Sequence, residues 1–174
     1  MALIKALNGH EPSHGMDCWF AETAVVVGEV KLGEHCTVWY NAVVRGDVNS
    51  ITVGDYSNIQ DNAVIHGTYL KAATKIGNRV SIGHNALVHG CTIEDNVLIG
   101  MGAIVMDNAV IGSGSIIGAG AVVLQGTQVP PNSIYVGNPA KKVKDVGEAG
   151  LEEIQRIAGN YPKYASWYQN EKDK

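Results

Sequence analysis

The sequence predicts an all-β solenoid: a parallel β-helix of hexapeptide repeats closed by a C-terminal α-helix. Three observations predict it. Val and Ile together number 36 against 8 Leu, and β-branched residues favour strands over helical bundles. Glycine is 21 of 174 residues, about 12 % against a usual 7 %, so the chain turns often. An apolar residue also recurs every six positions, and a fixed period marks a repeat architecture.

The recurring positions are Val26, Leu32, Val38, Val44, Val53, Ile59, Ile65, Ile76, Ile82, Val88, Ile93, Ile99, Val105, Ile111, Ile117, Val123, Val129 and Tyr135. Fourteen of the seventeen intervals equal six; the exceptions are nine (44 to 53), eleven (65 to 76) and five (88 to 93). Four residues after most of them stands a small or β-branched residue, such as Cys36, Ala42, Ala63, Ala86, Ala103 or Ala121. One large and one small inward residue per hexad describe a triangular prism. Each hexapeptide makes a short strand and a corner, three make a coil of 18 residues, and eighteen make about six coils. A β-sandwich would instead show period two, broken by turns roughly every 8–12 residues.

In chain order, residues 1–22 precede the first regular hexad and read as the cap that an open solenoid end requires. The prism occupies 1–140, cap included, and Pro130, Pro131 and Pro139 end its repeat. A linker and helix fill 141–174. Leu151, Ile154, Ile157 and Ala158 recur at helical spacing after Gly147 and Gly150, so 148–158 reads as an amphipathic helix folded back along the prism. Tyr161, Tyr164, Trp167 and Tyr168 extend its apolar face past Pro162.

Composition bounds the partners. Lys plus Arg is 13 and Asp plus Glu is 17, a net charge of −4. No basic excess exists to neutralise a nucleic-acid backbone. The longest apolar stretches, 98–106 and 116–124, are nine residues each, short of the roughly 20 needed to cross a bilayer. The N-terminus lacks a charged-then-apolar signal pattern. Cys18, Cys36 and Cys91 are an odd set without motif spacing and fit free thiols in a reducing compartment. The expectation is a cytoplasmic protein with neither nucleic-acid nor membrane partner.

The repeat also serves as a ruler for polar residues. His66 follows Ile65 and His89 follows Val88; their separation of 23 is 18 plus the five extra residues of the long interval. If residues near 70–75 bulge out, the two histidines stack on adjacent coils about 5 Å apart, close enough to share a metal. His84 falls two positions after Ile82, on a different face. One convex prism cannot bring its own faces together around an ion, but a neighbouring prism can. Three prisms about a threefold axis would build three interfacial sites, each with His66 and His89 from one chain and His84 from the next. Three histidines with an open fourth position match a catalytic zinc site, and imidazole also accepts iron, cobalt or nickel. Arg45 joins the His66–His89 column, with Asp47 near it, while Gln60 and Asp61 lie one coil before His84. Arg45 and Asp47 read as an interface or intercoil ion pair before they read as chemistry. Gln60 is either a ladder amide or a group that holds a metal-bound water. Tyr135 is a final corner residue or a group that reaches the site.

The stretches 44–47 (VRGD), 59–62 (IQDN), 64–66 (VIH), 83–85 (GHN) and 88–90 (VHG) resemble the γ-class carbonic anhydrase-like family of bacterial hexapeptide-repeat proteins, over about residues 20–145. The resemblance implies a left-handed prism, opposite to the usual crossover hand. It implies a homotrimer with Zn²⁺, or Fe²⁺ or Co²⁺, on His66, His84 and His89. Arg45 and Asp47 would pair across the interface, Gln60 would orient the metal-bound water with Asp61 beside it, and Tyr135 would line the pocket. The implied activity is hydration of CO₂ to bicarbonate. Two alternatives are an acyl-CoA thioesterase or hexapeptide acyltransferase, and a non-catalytic trimeric metal-binding scaffold. The sequence departs from the archetype in its acidic proton-transfer loop: Val48 follows Asp47, and 67–75 contains no acid.

Overall fold

Each hexad forms one short strand and one corner. The computed structural model describes residues 1–171. Parallel, in-register pairing stacks the recurring residues into three columns. Ile59, Ile82, Ile99, Ile117 and Tyr135 make one. Val44, Ile65, Val88, Val105 and Val123 make the second. Val53, Ile76, Ile93, Ile111 and Val129 make the third. Apart from Tyr135, all of these side chains are buried, and each fully buried Val or Ile contributes about 1.5–3 kcal/mol. The solenoid has about 7 turns and is left-handed.

The corners have a simple local chemistry. Three residues beyond the recurring position the backbone enters the left-handed region, at Asn41, Asn62, Asn85, Asn96, Asn108 and Asn132 and at Gly102, Gly114, Gly120 and Gly126. Asn and Gly adopt that conformation at least cost. The rule fails after Tyr135, where the repeat ends, and after Val26, Val44, Ile65 and Val88 on one edge. There the irregular intervals of nine, eleven and five accumulate. That edge carries Arg45, Asp47, His66 and His89.

Residues 1–22 are not a separate cap. Leu3–Lys5, Ser13–His14 and Trp19–Phe20 each pair in parallel with the coil above, so the segment is a further turn of the prism. Its period is hidden because ten residues separate Ile4 from His14, and a histidine stands where an apolar residue recurs elsewhere. At the other end Lys141–Asp145, expected as linker, is an antiparallel strand on Ser133–Val136.

The helix runs from Glu148 to Glu171 with Pro162 inside it, so the 148–158 stretch and the aromatic face expected past Pro162 form one continuous helix. Residues 172–174, the end of the expected C-terminal segment, lie outside the described residues. Ile154, Ala158 and Ala165 are buried, against the face that carries Thr37–Val38 and Ser81–Ile82. An interior proline costs a helix about 3 kcal/mol. Aromatic packing offsets it: Tyr161 meets Trp39 edge-on at 5.3 Å, and Tyr168 meets Trp19 at 5.4 Å and Trp39 at 5.8 Å. Such pairs contribute about 0.5–1.5 kcal/mol each.

Candidate metal centre

His66 and His89 are register partners at the ends of Val64–His66 and Leu87–His89. The residues between them that exceed one coil leave the prism as a loop, closed by a bridge between Thr68 and Ala72. The ring nitrogens His66 Nδ1 and His89 Nε2 stand 3.2 Å apart. Two nitrogens on one tetrahedral zinc, each at about 2.0–2.1 Å, stand roughly 3.3–3.4 Å apart. The pair therefore already has the spacing of two ligands on one ion.

The other nitrogen of each ring is engaged by a carboxylate. His66 Nε2 donates to Asp47 Oδ1 at 2.9 Å, and His89 Nδ1 donates to Asp107 Oδ1. With the protons held there, the lone pairs of both rings face each other. Two lone pairs at that distance repel unless a cation or a proton lies between them. Carboxylates behind ligand histidines fix ring tautomer and raise basicity. Burial works against both carboxylates, yet both titrate below the usual range. Hydrogen bonds from His66 and Arg45 lower Asp47, and hydrogen bonds from Thr68 and His89 lower Asp107.

His84 lies on the edge beyond Ile82, away from that pair. Its Nδ1 contacts Asp61 Oδ2 at 2.8 Å, leaving Nε2 as its free donor atom. Among the described residues, no group of three or more His, Cys, Asp or Glu within one chain is placed to hold a metal ion. The donor set that one chain does assemble, two braced imidazoles, fits zinc, iron or cobalt.

The remaining expected residues separate into two groups. Arg45 and His66 follow the register partners Val44 and Ile65, and the Arg45 guanidinium pairs with Asp47 on the same chain, so Asp47 ties Arg45 to His66. Gln60 is buried. Its Nε2 donates to Asn58 Oδ1 at 3.0 Å, and Asn58 Nδ2 donates to Ser81 Oγ at 2.8 Å. Gln60 is therefore tied within its own coil to Asn58, which in turn reaches the next coil, and it also lines a cavity of about 310 Å³ together with His84, Met101, Ile157, Tyr161 and Tyr164. Tyr135 is not brought to the histidines within the chain. It tops the Ile82–Ile99–Ile117 column three coils beyond Ile82 and packs on the core.

Asp107 and Thr68 escaped the sequence reading. The interval of five after Val88 shortens that coil to 17 residues, so Met106 takes the next place in the histidine column. Asp107 lies one position further on, and counting along the repeat does not single it out.

Residues 90–125 match the family model described as bacterial transferase hexapeptide (six repeats). A Methanocaldococcus jannaschii protein named as a probable carbonic anhydrase is 54 % identical over 143 residues, which cover 82 % of this chain and 89 % of that one. The mitochondrial gamma carbonic anhydrase 2 of Arabidopsis thaliana is 37 % identical, covering 91 % of this chain and 59 % of that protein. The crystal structure of a hexapeptide transferase family protein from Anaplasma phagocytophilum superposes with a TM-score of 0.91 at 37 % identity, covering 95 % of this chain and 98 % of that one.

Proposed function

The chain belongs to the γ-class carbonic anhydrase-like family of hexapeptide-repeat proteins, and from that premise we propose that it is a metal-dependent enzyme hydrating CO₂ to bicarbonate. The observation that carries the reading is the stacked His66–His89 pair, with its lone pairs converging and a carboxylate behind each ring. His66 and His89 would hold the ion from one chain of a homotrimer and His84 from the next. Zn²⁺ suits three imidazoles best; Fe²⁺ or Co²⁺ would also bind.

A divalent cation held there would supply an acidified water as nucleophile near neutral pH. The chain's own groups do the rest. Asp47 and Asp107 keep the His66 and His89 lone pairs aimed at one point. Asp61 does the same for His84, and Gln60 presents an amide to the adjoining cavity. No acid stands in 67–75 to carry away the proton, so turnover is expected to rise with buffer concentration. The protein would work without nucleic acid or membrane, in the cytoplasm.

The cavity beside His84 favours a second reading. Its roughly 310 Å³, lined by Met101, Ile157, Tyr161 and Tyr164, exceeds what CO₂ needs and would admit an acyl group, as a thioesterase requires. Stopped-flow CO₂ hydration by the zinc-loaded protein, in strong buffer and beside His89→Ala, separates the readings. Rapid hydration lost in the variant supports the anhydrase. One metal per chain with no hydration, but with thioester hydrolysis, supports the second reading. Metal with neither activity leaves a trimeric scaffold.

A further inference from the structure

The loop between the two stacked histidines is tied directly into the site. Thr68 Oγ donates to Asp107 Oδ2 at 2.5 Å, while Asp107 Oδ1 accepts from His89 Nδ1. One carboxylate therefore bridges the loop and a ring. Thr68 is itself fixed three ways. Its amide donates to Ala72 O at 2.9 Å, its carbonyl accepts from the Lys71 and Ala72 amides, both at 3.1 Å, and Asn49 Nδ2 donates to the same carbonyl at 3.2 Å. The loop's far end is anchored as well. Thr74 Oγ donates to the His66 carbonyl and accepts from the Gly90 amide at 2.9 Å.

The backbone is shaped to admit this bridge. Gly90, at φ +55°, lies under Asp107. A Cβ there would come within 2.5 Å of Asp107 Oδ1 and 2.7 Å of the Ala72 side chain. The short interval of five after Val88 and the long one of eleven after Ile65 thus meet at one place, where they let a carboxylate from the third coil reach back to a ring on the second. A loop whose only role was to bulge would need neither the glycine nor the threonine hydroxyl.

We infer that Asp107 and Thr68 are positioning residues: through the chain Thr68–Asp107–His89, the 67–75 loop sets how tightly the centre retains its metal. The inference rests on His66 and His89 being ligands. Asp107 fixes which nitrogen of His89 carries the proton, and Thr68 fixes the Asp107 rotamer. Outer partners of this kind alter metal affinity about 10–100-fold when removed.

The test is competition for Zn²⁺ between the full-length protein and a chromophoric chelator, read as affinity and as release rate, with thermal unfolding in parallel. Asp107→Asn is expected to weaken binding about 10–100-fold. Thr68→Val is expected to shift affinity and release rate in the same direction by less, and Thr68→Ser to restore both. The double variant Thr68→Val/Asp107→Asn is expected to match Asp107→Asn alone, since both act through one bond. If Asp107→Asn fails to fold, the Thr68 pair decides. Wild-type Zn²⁺ retention in Asp107→Asn, or in Thr68→Val, overturns the inference and leaves the ligand assignment standing. Thr68→Ser as weak as Thr68→Val also overturns it, because packing and not the hydroxyl would then matter. A wild-type protein that takes up no Zn²⁺ overturns both.

Discussion

A side chain's neighbours decide its chemistry here more than its type does. The cysteines show this. Cys91 is buried, and burial pushes its thiol up to about 12, so it serves as packing. Cys18 lies in the first coil, only half-buried, 18 residues from Cys36. The Cys36 side chain beside it lowers the Cys18 thiol, burial opposes and His14 adds a favourable charge, which brings it to about 6, while Cys36 Sγ itself donates to the Gly54 carbonyl at 3.1 Å. A lowered thiol pKa means that the reactive thiolate predominates above that pH and disappears below it. Iodoacetamide at pH 7 is therefore expected to label Cys18 in the native protein and to spare Cys91, with the Cys18 rate falling by half near pH 6. Peptide mass spectrometry over a pH series checks this. A Cys18 rate still climbing tenfold between pH 7 and 8 would refute it. The histidines follow the same logic: His66 and His89 become a donor pair only because Asp47 and Asp107 take the outward protons.

At the scale of elements, the corners and the helix are held by different means. Corners are local, because one left-handed residue at the third position after most inward residues makes the turn, Asn or Gly at ten of them and His35, Tyr56 or Arg79 at three more. The helix is tertiary. It passes through Pro162, which cannot donate to the Ala158 carbonyl, and it persists because Tyr161 and Tyr168 pack on Trp19 and Trp39. Pro162→Ala restores the donor and removes the ring clash without touching those tyrosines. It is expected to stabilise the protein by up to about 3 kcal/mol, read as a rise in melting temperature; a fall would mean that the ring itself packs productively. This division explains what the sequence discloses. Hexads from Val26 to Tyr135 are legible because each strand repeats one local pattern. The first coil is not, since its inward positions carry Ile4, His14 and Phe20 at unequal spacing. The helix beyond Pro162 is only half legible, because its partners, Trp19, Trp39 and Tyr40, lie more than a hundred residues away. In the site, the stacking of His66 on His89 follows from counting. The Thr68–Asp107 bridge does not, because it depends on how a loop folds back.

The whole molecule raises the question of what completes the site. His66 and His89 project from one edge of the prism, and His84 from another. Beyond His89 the same column continues with Met106 and Leu124, and beyond His84 with Met101, all large apolar side chains left exposed on the single chain. On the proposed function one chain supplies an incomplete donor set, and apolar side chains flanking it are what the edge of a closed ring of identical subunits would present. If three chains share their sites cyclically, His84→Ala and His89→Ala damage opposite sides of each interface. Each variant alone is expected to bind no metal tightly. Unfolded together in equal amounts and refolded, they should recover sites wherever an intact His66–His89 pair from one variant faces an intact His84 from the other. Random assembly makes that about one interface in four for a cyclic ring, so zinc content should return to roughly a quarter of wild type. Metal analysis of the size-selected refolded protein reads it directly. Recovery is possible only if ligands from different chains meet, and a mixture as empty as its parents would mean that they do not.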